Sequence, residues 1–153
     1  MVKAGDCVSD NTIEKFVEQN AQWIERQREK LNKRYHFRKT VTKQEQKQMQ
    51  KDALPVMTEI TEKYSAIMGL YPENVRITTA EKRWGSCSSN KTVCFSYRVM
   101  YLSQRCREYL VVHELAHLAQ MNHSRSFYEI VEKYMPDYKE IEKELNGYYI
   151  RLI

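Results

Sequence analysis

HELAHLAQMNH, residues 113–123, gathers three of the chain's four histidines into eleven residues and sets a glutamate directly after the first. On a helix, His113 and His117 stand about 40° apart around the axis and about 6 Å apart along it, so both imidazoles face one side. Two such nitrogens reach a single ion at about 2.0–2.1 Å, the bonding distance of zinc. Glu114 lies about 100° around from His113. That direction is poor for a third ligand from the same turn and good for a carboxylate gripping a metal-bound water. Glu114 therefore reads as the general base of a catalytic zinc site.

His123 supplies the third ligand at a spacing used by one large class of zinc peptidases. On an uninterrupted helix it would sit about 240° around from His117 and about 9 Å further on, out of reach of the same ion. The helix must end between them. Chains with this spacing usually turn at a central glycine. Here that position is Gln120, so Asn122, which tolerates the left-handed conformation, is the expected turning residue. Glu129 and Glu132 follow at the distance where other zinc sites take a glutamate ligand; the reading favours His123 over both.

With 153 residues, 42% of them hydrophobic, the chain has material for one core and is short for two. The net charge of +5 is modest, and its basic excess lies largely in the first fifty positions. It reads as a solvated face rather than a nucleic-acid footprint. KRYHFRK, residues 33–39, has the basic and aromatic mixture that grips phosphate and stacks on bases, but a connection between helices is the plainer reading. Cys7, Cys87, Cys94 and Cys106 form no C-x-x-C pair. No secretory segment opens the chain, and reduced thiols in a cytoplasmic protein are expected. No apolar run approaches the length that spans a membrane.

Helical spacing of Ile13, Phe16, Val17, Asn20 and Ile24 predicts an amphipathic helix over about residues 10–33. Thr42 with Glu45 is a capping-box pattern opening a second helix, with Met49, Leu54, Met57, Ile60, Tyr64, Ile67 and Met68 as its apolar positions, a kink or restart near Leu54 before Pro55, and an end at Gly69. VRITT (75–79) and TVCFSY (92–97) alternate as strands of a small antiparallel sheet around a turn-rich RWGSCSSNK. Ser103 caps the metal helix, Ser124 or Ser126 starts another that stops at Pro136, and a last helix covers about Tyr138 to Tyr149.

RWGSCSS (83–89), CFSYRVMYL (94–102), YLVVHELAHL (109–118), NHSRSFY (122–128) and MPDYKE (135–140), in that order, resemble the YgjP-like metallopeptidase family, small cytoplasmic zincins related to the SprT and WLM metalloproteases. The resemblance runs from about Ile13 to Gly147. It implies an α+β, zincin-like fold: a small antiparallel sheet packed on the metal-bearing HExxH helix, with flanking N- and C-terminal helices. It also implies zinc held by His113, His117 and His123, with Glu114 as catalytic acid/base. Residues 1–41 read as a helical arm, shortened relative to the family, and 42–153 as the metallohydrolase core, together one folding unit. Tyr128 stands where the family usually has tryptophan.

The loop before the metal helix lines the cleft in such a fold. Arg83 and Ser86 are candidate contacts to a substrate oxygen, Gly85 allows close backbone approach, and Trp84 either lines the cleft or plugs the core. The leading reading is a zinc-dependent peptidase acting on a peptide or protein, in which Glu114 activates a zinc-bound water, Tyr97 or Tyr128 is a candidate transition-state donor, and strand 92–97 is an edge that an extended peptide joins. Two alternatives stand. One is a metal-dependent hydrolase of nucleotide phosphoanhydrides using Lys82, Arg83 and Lys91, although such sites favour magnesium on oxygen ligands. The other is a silent zinc clamp, which would need a fourth protein ligand; Cys87 is the one nearby thiol by order.

Overall fold

The computed structural model describes residues 10–26, 41–81 and 83–148. The segment 33–39, Lys82, Cys7 and the end of the expected N-terminal helix lie outside the described residues. The chain divides into two units, Met1–Lys39 and Thr40–Ile153.

In the first unit, α1 spans Asp10–Gln19 and helical turns resume at residues 21–26. Between them the backbone bonds continue, Asn20 N–H to the Phe16 carbonyl at 3.1 Å and Ile24 N–H to the Asn20 carbonyl at 2.9 Å, and the Asn20 side-chain amide adds a second donor to the Phe16 carbonyl at 2.8 Å.

The second unit opens with the predicted capping box. The Glu45 N–H donates to Thr42 Oγ1 at 3.2 Å, and the Thr42 N–H donates to Glu45 Oε2 at 2.9 Å. These bonds satisfy donors that a helix start otherwise leaves bare. From there α2 runs over Lys43–Met68 and ends at Gly69, whose φ of 68° needs a residue without Cβ. The helix does not restart near Leu54: it is continuous through Pro55. Proline removes one backbone bond, but Ala53 and Met57 on either side of it are both fully buried and hold the helix on the core. The buried stripe is Ala53, Met57, Thr61, Tyr64, Ser65 and Met68. Leu54 and Ile67, taken from the sequence as apolar core positions, face outward at 44% and 54% exposure.

Three strands follow: β1 (Asn74–Thr78), β2 (Gly85–Cys87) and β3 (Thr92–Ser96), in the order β1-β3-β2. The sheet is mixed, which corrects the antiparallel expectation. β2 pairs with β3 antiparallel, and β1 pairs with β3 parallel, Val75 opposite Val93 and Ile77 opposite Phe95. The sequence reading took GSC as part of a turn. As a strand it reverses the chain once more before β3, which then runs the same way as β1. The hairpin turns through Lys91 at a φ of 56°. β3 is therefore the middle strand, buried at four of its five positions, and not the edge expected of it.

A 3₁₀ turn over Tyr97–Tyr101 leads to α3 (Gln104–Ala116), capped as predicted by Ser103, whose hydroxyl accepts from the Cys106 N–H at 3.2 Å. α3 buries eight residues on several faces, so it is the central helix; α2, β2, α4 (Arg125–Tyr134) and α5 (Tyr138–Gly147) pack around it.

Because α2 passes through an exposed Pro55, Pro55→Ala is expected to raise stability by about 1–3 kcal/mol. Denaturant unfolding measures it, and an unchanged midpoint would mean that the helix does break there.

Candidate metal centre

The last turn of α3 carries His113 and Glu114, and His117 is its C-cap. The chain then tightens, with the Leu118 N–H donating to the Leu115 carbonyl at 2.9 Å and the Ala119 N–H to the Ala116 carbonyl at 3.1 Å. No described residue between His117 and His123 has positive φ, so Asn122 does not supply the left-handed turn expected of it. Gln120 organises this segment instead. Its carbonyl lies 3.1 Å from His117 Nδ1, and its side-chain amide donates to Asn122 Oδ1 at 2.7 Å and to Ser124 Oγ at 3.2 Å. A side chain that bridges the turn replaces the backbone freedom of a glycine.

This path returns His123 to the helix. His113 Nε2 and His123 Nε2 are 3.0 Å apart, and the ligand atoms of His113, His117 and His123 all lie within 4.8 Å of one another. Donors at about 2.0–2.1 Å from one tetrahedral ion are about 3.3 Å apart; the 3.0 Å pair is already at that spacing, and wider pairs would close by about 1.5 Å at most to share an ion. Phe127, fully buried on α4, sets its ring 4.5–4.9 Å from all three imidazoles. Glu129, ion-paired to Arg125, and Glu132 do not join the group, and neither does Cys87; among the described residues it holds the three histidines alone.

Two of the ring nitrogens lie beside polar partners. The bond to the Gln120 carbonyl fixes the proton of His117 on Nδ1 and leaves Nε2 as the ligand atom. His113 Nδ1 is 3.4 Å from Tyr109 Oη, and the Tyr109 hydroxyl donates to Glu142 Oε1 at 2.6 Å. The sequence reading missed both residues. Tyr109 precedes His113 by one helical spacing of four and was legible; Glu142 comes from α5 with no local signal.

Burial pushes His113 down to about 3, with the two neighbouring histidines adding to the effect, and also lowers His117. Both are neutral imidazoles with lone pairs to offer. Burial raises Glu114 to about 8 against the pull of the Arg83 guanidinium. Glu114 Oε2 is buried without a hydrogen-bond partner. A dication beside it would favour its charged form, and three imidazole nitrogens with an orphaned carboxylate oxygen fit a metal ion.

The preceding loop meets this carboxylate. A Cβ built on Gly85 would stand 2.4 Å from Glu114 Oε1 and 2.9 Å from Cδ, so the group that the glycine admits is Glu114 itself. Trp84 is half-buried against the core and also lines a cavity with His113 and Glu114. Arg83 is exposed. Ser86 pairs in register with Cys94, and strand alternation directs it away from the face that Gly85 presents to Glu114. Tyr128 lies tilted with its ring 6.2 Å from that of His123, whereas Tyr97 is buried at the start of the 3₁₀ turn with its hydroxyl accepting from Arg98.

A helix that ends on two histidines, with a third returned by the turn that follows, is an arrangement that can hold a metal ion. The chain belongs to the YgjP-like metallopeptidase domain family, whose pattern matches residues 38–148. Its fold is similar to the crystal structure of the metallopeptidase zymogen of Pyrococcus abyssi abylysin, at 30% identity over 58% of this chain and 90% of that one, with a TM-score of 0.54. It is likewise similar to the zymogen of Methanocaldococcus jannaschii jannalysin, at 22% identity over 59% and 93%, with a TM-score of 0.53. No curated protein matches the chain. No helix among the described residues is long and apolar enough to cross a membrane.

Gly85→Ala is expected to force Glu114 from its place and to destabilise the fold by about 1–3 kcal/mol. Thermal unfolding checks this, and a wild-type midpoint would show that Glu114 moves aside freely.

Proposed function

We propose that the protein is a zinc peptidase in which His113, His117 and His123 hold the ion and Glu114 is the general base. The observation that carries this reading is the convergence of three imidazole nitrogens within 4.8 Å beside a buried carboxylate oxygen that has no partner. When bound, zinc supplies Lewis acidity toward a carbonyl and makes water nucleophilic near neutral pH. Glu114, for which Gly85 leaves room, takes the proton of the attacking water and passes it to the leaving amine. Arg83 and Tyr128 are the nearby donors for a developing oxyanion. β2 is an outer strand packed on α3, and an extended peptide joins the sheet there, not at β3 as the sequence suggested. The donor set tells against a magnesium-dependent nucleotide hydrolase, which would favour oxygen ligands. The lack of a fourth protein ligand among the described residues tells against a structural clamp.

Metal analysis should find about one zinc per chain. His113→Ala, His117→Ala and His123→Ala are each expected to lose it, while Glu129→Ala and Glu132→Ala keep it; a loss confined to a glutamate variant would reassign the third ligand. Glu114→Gln is expected to retain zinc while turnover of an unfolded protein substrate falls by at least a hundredfold. Abylysin was solved as a zymogen, so the assay is run before and after removal of residues 1–40. Phosphate release from nucleotides without peptide cleavage would move the protein to the phosphoanhydride class.

A further inference from the structure

Beside the histidines lies a cavity of about 330 Å³. Trp84 forms one wall, Tyr109 and His113 of α3 another, and Glu142 and Leu145 of α5 a third, with Glu114 also on its surface. Its charge is out of keeping with the molecule. The chain carries a net +5, yet the two charged side chains on the wall are both carboxylates, and no lysine or arginine is among the lining residues.

Those carboxylates differ in what they can do for a ligand. Glu114 is buried at 5% exposure with Oε2 unpartnered, and the reaction claims it. Glu142 is half-buried, and among the described residues its carboxylate accepts from the neutral hydroxyl of Tyr109. That bond fixes the direction of the carboxylate and leaves its charge in place. No lysine or arginine among the described residues pairs with it. Trp84 adds an aromatic surface on which an aliphatic stem can lie and toward which a cation is drawn. A long side chain with a cationic end matches all three walls, and a carboxylate would be repelled.

We propose that this cavity is a specificity subsite that takes a lysine or arginine side chain flanking the scissile bond, with Glu142 as its anion. The proposal rests on the peptidase reading for the position of that bond. Glu142 selects the substrate, and the chemistry stays with Glu114.

The test measures binding and cleavage separately on the full zinc-loaded chain. Three capped tripeptides, alanine-Xaa-alanine with arginine, norleucine or glutamate at the centre, are titrated by calorimetry. A single charge-assisted contact in a half-buried site predicts that the arginine peptide binds on the order of tenfold more tightly than the norleucine peptide, with the glutamate peptide weakest. Glu142→Gln keeps an acceptor for the Tyr109 hydroxyl and removes the charge, so the arginine-to-norleucine ratio should fall toward one with zinc content unchanged. Glu142→Lys should reverse the order in favour of glutamate. Equal binding of arginine and norleucine peptides to the wild type, a ratio that survives Glu142→Gln, or no binding of any peptide overturns the proposal. A peptide library digested in parallel separates the two readings. Cleavage without enrichment of basic residues beside the cut sites sinks the subsite and leaves the peptidase. Selective arginine binding with no cleavage sinks the peptidase and leaves the cationic site.

Discussion

The buried carboxylate of Glu114 makes demands on every element around it. An acid at 5% exposure with one oxygen unpartnered is costly in a core unless a cation or a reacting group repays it. The strand passing over it must carry glycine, because any Cβ at position 85 would collide with it. The helix that bears it must be buried on several faces, and α3 is. The three imidazoles gathered beside it are mutually repulsive when protonated, and burial holds the innermost of them neutral. A fold selected only for stability would place a leucine at position 114.

Much of this was legible from the residues alone. The spacing of His113, His117 and His123 forces the helix to end where it does. The caps at Thr42, Gly69 and Ser103 are local chemistry, and each is found as read. What escaped the sequence was non-local. GSC has too few residues and too little β-branching to announce a strand, and missing it turned a mixed sheet into an antiparallel one and put β3 at the edge. A restart at Pro55 is what local propensity suggests, because propensity does not register the burial of Ala53 and Met57 that carries the helix through.

The site followed the same division. His113, Glu114 and His117 share one turn, and any helix would juxtapose them. Asn122 was chosen as the turn residue on backbone preference, but the turn is made by side-chain bonds of Gln120, for which its composition gives no warning. Glu142 reaches Tyr109 across the packing of two helices, and only the tertiary structure brings it there.

The chain of contacts from His113 through Tyr109 to Glu142 ties α5 to the ligand set. An ion held by His113 would therefore be coupled to α5: where this contact orients His113, binding of the ion and docking of α5 on α3 would favour each other by the same coupling free energy.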